Sequence, residues 1–97
     1  MKKINLTIVA TINPNGKEEL THYLEKVGVL YKKVDAKPIN KFKITKLLIG
    51  DYTPSLVSIM EFPNMNSLND VFESDDYKEL LPYREKAFSK LEAYISE

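Results

Sequence analysis

At 97 residues the chain is long enough for one domain, 1–97, and too short for two. Fourteen Lys and Arg balance fourteen Asp and Glu, so the surplus of cations that a general nucleic-acid binder needs is missing. The absence of Cys removes disulfides and thiolate sites, and no apolar run approaches the roughly 20 residues of a bilayer span.

A chain of this size buries only about 60–65% of its unfolded surface, so its core is thin and a second copy is the natural way to enlarge it. The start, Met1-Lys2-Lys3-Ile4-Asn5, leads into alternation and not into an apolar signal core. The expected location is therefore cytoplasmic, with neither nucleic acid nor membrane as a partner.

Ile4, Leu6, Ile8, Ala10 and Ile12 alternate with Asn5, Thr7, Val9 and Thr11, which predicts a strand. Asn13-Pro14-Asn15-Gly16 breaks it with turn chemistry. From Lys17 to Val34, Leu20, Leu24, Val27, Tyr31 and Val34 recur at spacings of four and three, the stripe of an amphipathic helix. Asn15 is placed to cap that helix, and Glu18 and Glu19 suit the positive end of its dipole. Gly28 costs it about 1 kcal/mol relative to Ala, which suggests a close approach to a sheet.

Asp35 to Asn40, with Pro38, reads as a connection, and Lys41 to Ile49 as a second strand. Lys41, Lys43 and Lys46 form a local basic run. Alternation puts the first two on one strand face, and a solvated sheet edge accounts for them. Gly50 to Pro54 is a turn, and Leu56 to Phe62 a third strand that forms an antiparallel hairpin with the second. Leu56, Met60 and Phe62 lie on one face of it, Val57 and Ile59 on the other. Both faces need cover, and a second subunit packed sheet against sheet supplies it.

Pro63-Asn64-Met65-Asn66 ends the strand and starts a helix whose apolar side is Leu68, Val71 and Phe72. Ser74 caps a further helical segment with Asp75 and Asp76 in its first turn, and Pro82 stops or bends that segment. The tail fits two patterns. Leu91, Ala93 and Ile95 alternate as in a strand, while Ala87, Leu91, Tyr94 and Ile95 also form a helical stripe, and periodicity does not choose. The order predicts an α+β fold: ferredoxin-like βαββαβ, a four-stranded antiparallel sheet with two helices on one face.

The segments Glu61-Phe62-Pro63, Ser74-Asp75-Asp76-Tyr77 and Leu81-Pro82-Tyr83-Arg84 resemble the signature of a family of short bacterial proteins catalogued as domain of unknown function thirteen-thirty. The resemblance is specific over the C-terminal part of the chain and extends only to element order before it. It implies that the tail is a fourth strand, and that two subunits join through their open sheet faces as a dimeric α/β barrel. The wider superfamily includes cofactor-independent antibiotic-biosynthesis monooxygenases and haem-degrading monooxygenases. The haem degraders use an Asn, Trp and His set. This chain has no Trp and a lone His22, so haem degradation is not expected. Family members often carry Gly-Gly and Arg near the start of strand two, where this chain has Lys37-Pro38-Ile39-Asn40.

If the last helix bends but continues past Pro82, then Tyr77, Leu81, Arg84 and Phe88 share one face, with Leu80 beside it. A functional reading places a ligand pocket between helix and sheet, bounded by Tyr77, Arg84, Phe62 and Leu81. Tyr77 would offer a hydroxyl and Arg84, the one Arg of the chain, would bind an anionic or enolate oxygen. A structural reading, which carries more weight, pairs Arg84 with Glu61 or a helix carboxylate and gives the Tyr77 hydroxyl a backbone carbonyl. Candidate catalytic residues are Tyr77, Arg84 and, if it is buried enough to act as a base, Glu61.

His22 lies outside the helix stripe and reads as a surface residue. Glu73, Asp75 and Asp76 lack the spacing of a calcium loop and serve helix capping, so no metal site is expected. No phosphate loop or nucleophile elbow is present, and no cofactor is expected. Two functions follow: a small homodimeric protein that binds a small organic ligand in a helix–sheet cleft, or a cofactor-independent monooxygenase or isomerase acting on a small enolisable or phenolic compound.

Overall fold

The computed structural model describes residues 2–97. The elements run β1 (Ile4–Ile12), α1 (Lys17–Lys33), β2 (Lys37–Lys43), β3 (Leu56–Phe62), α2 (Met65–Phe72), α3 (Asp75–Lys78), α4 (Leu81–Ala87) and β4 (Phe88–Ser96). All strand pairs are antiparallel, in the spatial order β2-β3-β1-β4. This is the ferredoxin-like plan, with the second helix divided into three short pieces.

The tail is a strand. Leu91 pairs with Ala10 and Ala93 with Ile8, so β4 extends the sheet beyond β1. The alternation of β1 then divides the molecule. Ile4, Leu6 and Ala10 are buried and pack with Met60 and Phe62 of β3. Tyr23, Val27 and Leu30 of α1 complete that core, with Leu68 and Val71 of α2 and Leu80 ahead of α4. Asn5, Thr7, Val9 and Thr11 point to the other sheet face and are half-buried.

Two strand boundaries differ from the sequence expectation. The second strand is Lys37–Lys43 and not Lys41 to Ile49. Pro38 suggested a connection, yet β2 is an edge strand, where a missing backbone N–H costs no ladder bond. A register shift between Pro38 and Asn40 absorbs the local irregularity. The turn before it is tight, because Asp35 takes a positive φ of 58°. Residues 44–55 then leave the sheet as a loop, with Leu48 91% and Ile49 90% exposed. Tyr52 of this loop hydrogen-bonds to Glu92, and the Lys90 ammonium lies 3.8 Å from the centroid of its ring.

The buried stripe of α1 also differs. Tyr23 and Leu30 belong to it, while Leu24 is 48% exposed. Asn15 does not cap the helix. Gly16 is the N-cap residue and has no side-chain cap, and Asn13 organises the turn by accepting from Asn15 N–H through Oδ1 at 3.1 Å. Asn13 also reaches the far end of the chain, with its backbone N–H donating to Ala87 O at 2.9 Å and its Nδ2 to Lys86 O at 3.0 Å.

That junction leaves no room at Gly16, where a Cβ would stand 2.1 Å from the Lys86 carbonyl oxygen. Gly16→Ala is expected to cost about 1–3 kcal/mol, the usual penalty for forcing atoms into a packed contact. A urea titration checks this: the midpoint falls while the slope stays unchanged.

Candidate functional site

A cavity of about 240 Å³ lies between α1 and the sheet. Its floor is made by buried Tyr23 and Val27 from α1, Met60 from β3, Tyr77 from α3 and Phe88 from β4. Leu24, Pro38 and Lys41 stand at its exposed rim. Gly28 also lines it, and a Cβ at Gly28 would meet nothing within 4 Å. Gly28 therefore keeps space open and does not bring the helix closer to the sheet, as the sequence suggested.

Local chemistry sets the tyrosines in place. The Ser74 hydroxyl accepts from Tyr77 N–H at 3.1 Å, the cap expected from the sequence, and donates to Val71 O at 2.7 Å. This starts α3 at the point that turns Tyr77 inward. Pro82 lies in the first turn of α4, where its missing N–H has no helical partner to lose. The helix is thus interrupted between Lys78 and Leu81, and Tyr77, Leu81, Arg84 and Phe88 do not share one continuous helix.

Tyr77 and Arg84 nevertheless meet. Arg84 Nη1 donates to Tyr77 Oη at 3.2 Å, and the guanidinium carbon lies 5.9 Å from the Tyr77 ring centroid. Tyr77 Oη is 2.9 Å from Tyr23 Oη. A phenol carries one proton. Either phenol can donate in that bond, because the Tyr77 oxygen has two lone pairs and can accept from both Arg84 and Tyr23. One of the two phenol protons is used in the bond, and the other is left for an acceptor in the cavity that both residues line.

The aromatic rings hold this chain of hydroxyls edge to face. Tyr23 meets Tyr77 at 6.2 Å and Phe88 at 5.7 Å, and Phe72 meets Tyr77 at 4.9 Å. Each such pair contributes about 0.5–1.5 kcal/mol beyond area burial.

Burial, and then the Tyr77 phenol and its hydrogen bond, push the Tyr23 hydroxyl well above the usual tyrosine range, against the opposing pull of Arg84. Burial does the same at Tyr31, which also lines the cavity, with Tyr77 adding to it. Both hydroxyls keep their protons at neutral pH.

The other sequence candidates are dispersed. Phe62 is fully buried in the core, and neither it nor half-buried Leu81 lines the cavity. Arg84 stands behind Tyr77 and not in the cavity wall. Glu61 is on the opposite sheet face, 3.4 Å from Lys3 Nζ, so it does not pair with Arg84. His22 is half-buried and stacks on Tyr83, with centroids 4.0 Å apart. It lines a separate open groove on the outside of α1, with Lys26 and Glu79. Tyr23 is the residue that sequence reasoning missed. The signal was its spacing of three from Leu20 and four from Val27, an equally good helical face.

No group of three or more His, Cys, Asp or Glu among the described residues is placed to hold a metal. No helix among them is long and apolar enough to cross a membrane.

An open antiparallel sheet with helices on one face and a cavity beneath them defines an α+β protein of the ferredoxin-like class. Within that class the chain belongs to the family described as "Domain of unknown function (DUF1330)", whose profile matches residues 7–96. The structure resembles a protein of unknown function from Rhodopseudomonas palustris with a TM-score of 0.87 and 18% identity, covering 97% of this chain and 80% of that one. It resembles a dimeric protein of unknown function with a ferredoxin-like fold from Bacteroides fragilis at 0.62 and 8% identity, covering 98% and 95%. SnoaB, a cofactor-independent oxygenase from Streptomyces nogalater, matches at 0.68 and 9% identity over 100% and 93%. At such identities the likeness is one of fold. No functionally curated protein matches the sequence.

The raised Tyr23 hydroxyl has a consequence for stability. The native protein keeps that proton while the unfolded chain releases it near pH 10. Its contribution is therefore fully present below about pH 10 and is lost above it, by about 1.4 kcal/mol per pH unit. Urea midpoints measured from pH 9 to pH 12 are expected to fall above pH 10, and Tyr23→Phe to make the fall shallower.

Proposed function

We propose that this protein binds a small organic molecule in the cavity between α1 and the sheet, and that it does so as a homodimer joined through the open sheet faces. The cavity carries the reading: an apolar chamber of about 240 Å³ whose floor presents phenol donors, and whose lining includes no Asp, Glu or His among the described residues. Such a site accepts an oxygen-bearing ligand and orients it by hydrogen bonds. A separate groove of about 560 Å³ on the outer side of α1 is larger, but Lys26, Lys33, Asp76 and Glu79 make it polar and open.

Oxygenase or isomerase chemistry on an enolisable or phenolic compound requires a proton to leave the substrate. Tyr23 and Tyr31 hold their own protons, so the cavity wall offers hydrogen-bond donors and no base. In that alternative the acidity must come from the substrate, with the Tyr23 hydroxyl stabilising the resulting oxyanion. The likeness to SnoaB is of fold alone, and binding is the reading that the site supports best.

Support for the dimer comes from the face opposite the helices. Val57 pairs with Val9 on one side and with Phe42 on the other, and Ile59 pairs with Thr7. Phe42 is 49% exposed and Tyr94 54%. An apolar strip thus crosses the sheet with nothing of its own chain to cover it fully. The related Bacteroides fragilis protein is dimeric.

Native mass spectrometry is expected to show a dimer, and Val57→Lys a folded monomer. Gly28→Leu extends a side chain into the cavity while improving helix propensity by up to about 1 kcal/mol. It is expected to keep the melting temperature and to abolish binding of single-ring phenols and ketones in an NMR titration. Oxygen uptake measured on any compound that binds separates a binder from an oxygenase. Retained binding in Gly28→Leu would refute the cavity as the site.

A further inference from the structure

The charge at the cavity rim narrows the class of ligand. Lys41 pairs with Ser58, which in turn pairs with Ile8 on the core face of β1. Lys41 therefore stands on the helix-bearing side of the sheet. Lys43 pairs with Leu56 and occupies the same side two residues on. All seven residues of β2 are exposed. Lys41 thus stands at the cavity mouth in addition to solvating an edge, with Lys43 next to it along the strand. Lys41 lines both the cavity and an adjoining groove of about 450 Å³, and Lys43 lines the groove.

Neither lysine has a carboxylate partner among the described residues. The ion pairs among the described residues use Lys2, Lys3, Lys33 and Lys78 instead. An unpaired cation beside a low-dielectric chamber attracts an anion more strongly than one in open water. At the other end the hydrogen-bonded Tyr23–Tyr77 pair has one phenol proton to offer. Size sets the third limit. Benzene fills a cavity of about 150 Å³, so the roughly 240 Å³ here accommodates one substituted ring.

We infer that the ligand is a small aromatic acid, with its ring in the cavity, an oxygen acceptor against the Tyr23–Tyr77 hydroxyl pair, and its carboxylate at the rim beside Lys41. This rests on the cavity being the binding site.

Paired NMR titrations test it, with 4-hydroxybenzoate and its neutral counterpart 4-hydroxybenzamide, at low ionic strength. The acid is expected to bind about fivefold more tightly or better, the scale of a partly solvated charge-assisted contact. Lys41→Gln should bring the two affinities together by weakening the acid alone, and Lys41→Glu should make the amide the better ligand. Lys46→Gln, on the exposed loop away from both cavities, should leave the preference unchanged. If acid and amide bind equally, or if Lys41→Gln keeps the preference, the inference is overturned while binding that Gly28→Leu abolishes preserves the cavity. If neither compound binds, the inference and the cavity reading both fall.

Discussion

A phenol placed between a helix and a sheet must find a hydrogen-bond partner or carry the cost of an unpaired polar group. Tyr23 and Tyr77 meet that constraint with each other, at 2.9 Å, and Arg84 supplies the remaining donor. The arrangement links three elements distant in sequence: Tyr23 on α1, Tyr77 on α3 and Arg84 on α4. It also explains the breaks in the second helical region. Ser74 starts α3 so that Tyr77 turns inward, and the interruption before Pro82 brings Arg84 back over the Tyr77 ring. A straight helix through this region would not need two separate starts.

The cavity exists because the helical layer is incomplete above β2. No residue of that strand is buried, and α1 offers Gly28 where a larger side chain would close the gap. Close packing is the norm in protein interiors, so an opening flanked by aromatic rings and a glycine reflects a specific choice of residues. The phenols then lie at the closed end and the Lys41 cation at the open end.

The sheet faces opposite problems on its two sides. The helix side buries Ile4, Leu6, Ala10, Met60 and Phe62 thoroughly. The other side mixes Val9, Val57, Ile59 and Phe42 with Asn5, Glu61 and Lys37, and holds Tyr52 against β4 through Glu92 and Lys90. A wholly apolar face would aggregate, and a wholly polar one would give a partner nothing to bury. The loop 44–55, with Leu48 and Ile49 fully in solvent, adds apolar surface beyond the sheet edge.

Periodicity alone disclosed β1, β3 and the existence of α1, because each repeats its apolar residues at one clear interval. The Ser74 cap and the stop near Pro82 were legible for the same local reason: capping and proline geometry act within a few residues. The tail was not, since Leu91 and Ile95 satisfy both a strand and a helix, and only pairing with Ala10 and Leu6 makes it β4. Nor was β2, where Pro38 looked like a breaker until the strand proved to be an edge. The site divides in the same way. Sequence pointed to Tyr77 and Arg84, one on a capped turn and the other the lone guanidinium. Tyr23, Gly28 and Lys41 became part of it only through tertiary structure, because a cavity wall is assembled from residues whose nearness depends on strand order and helix rotation, and neither is written in any local spacing.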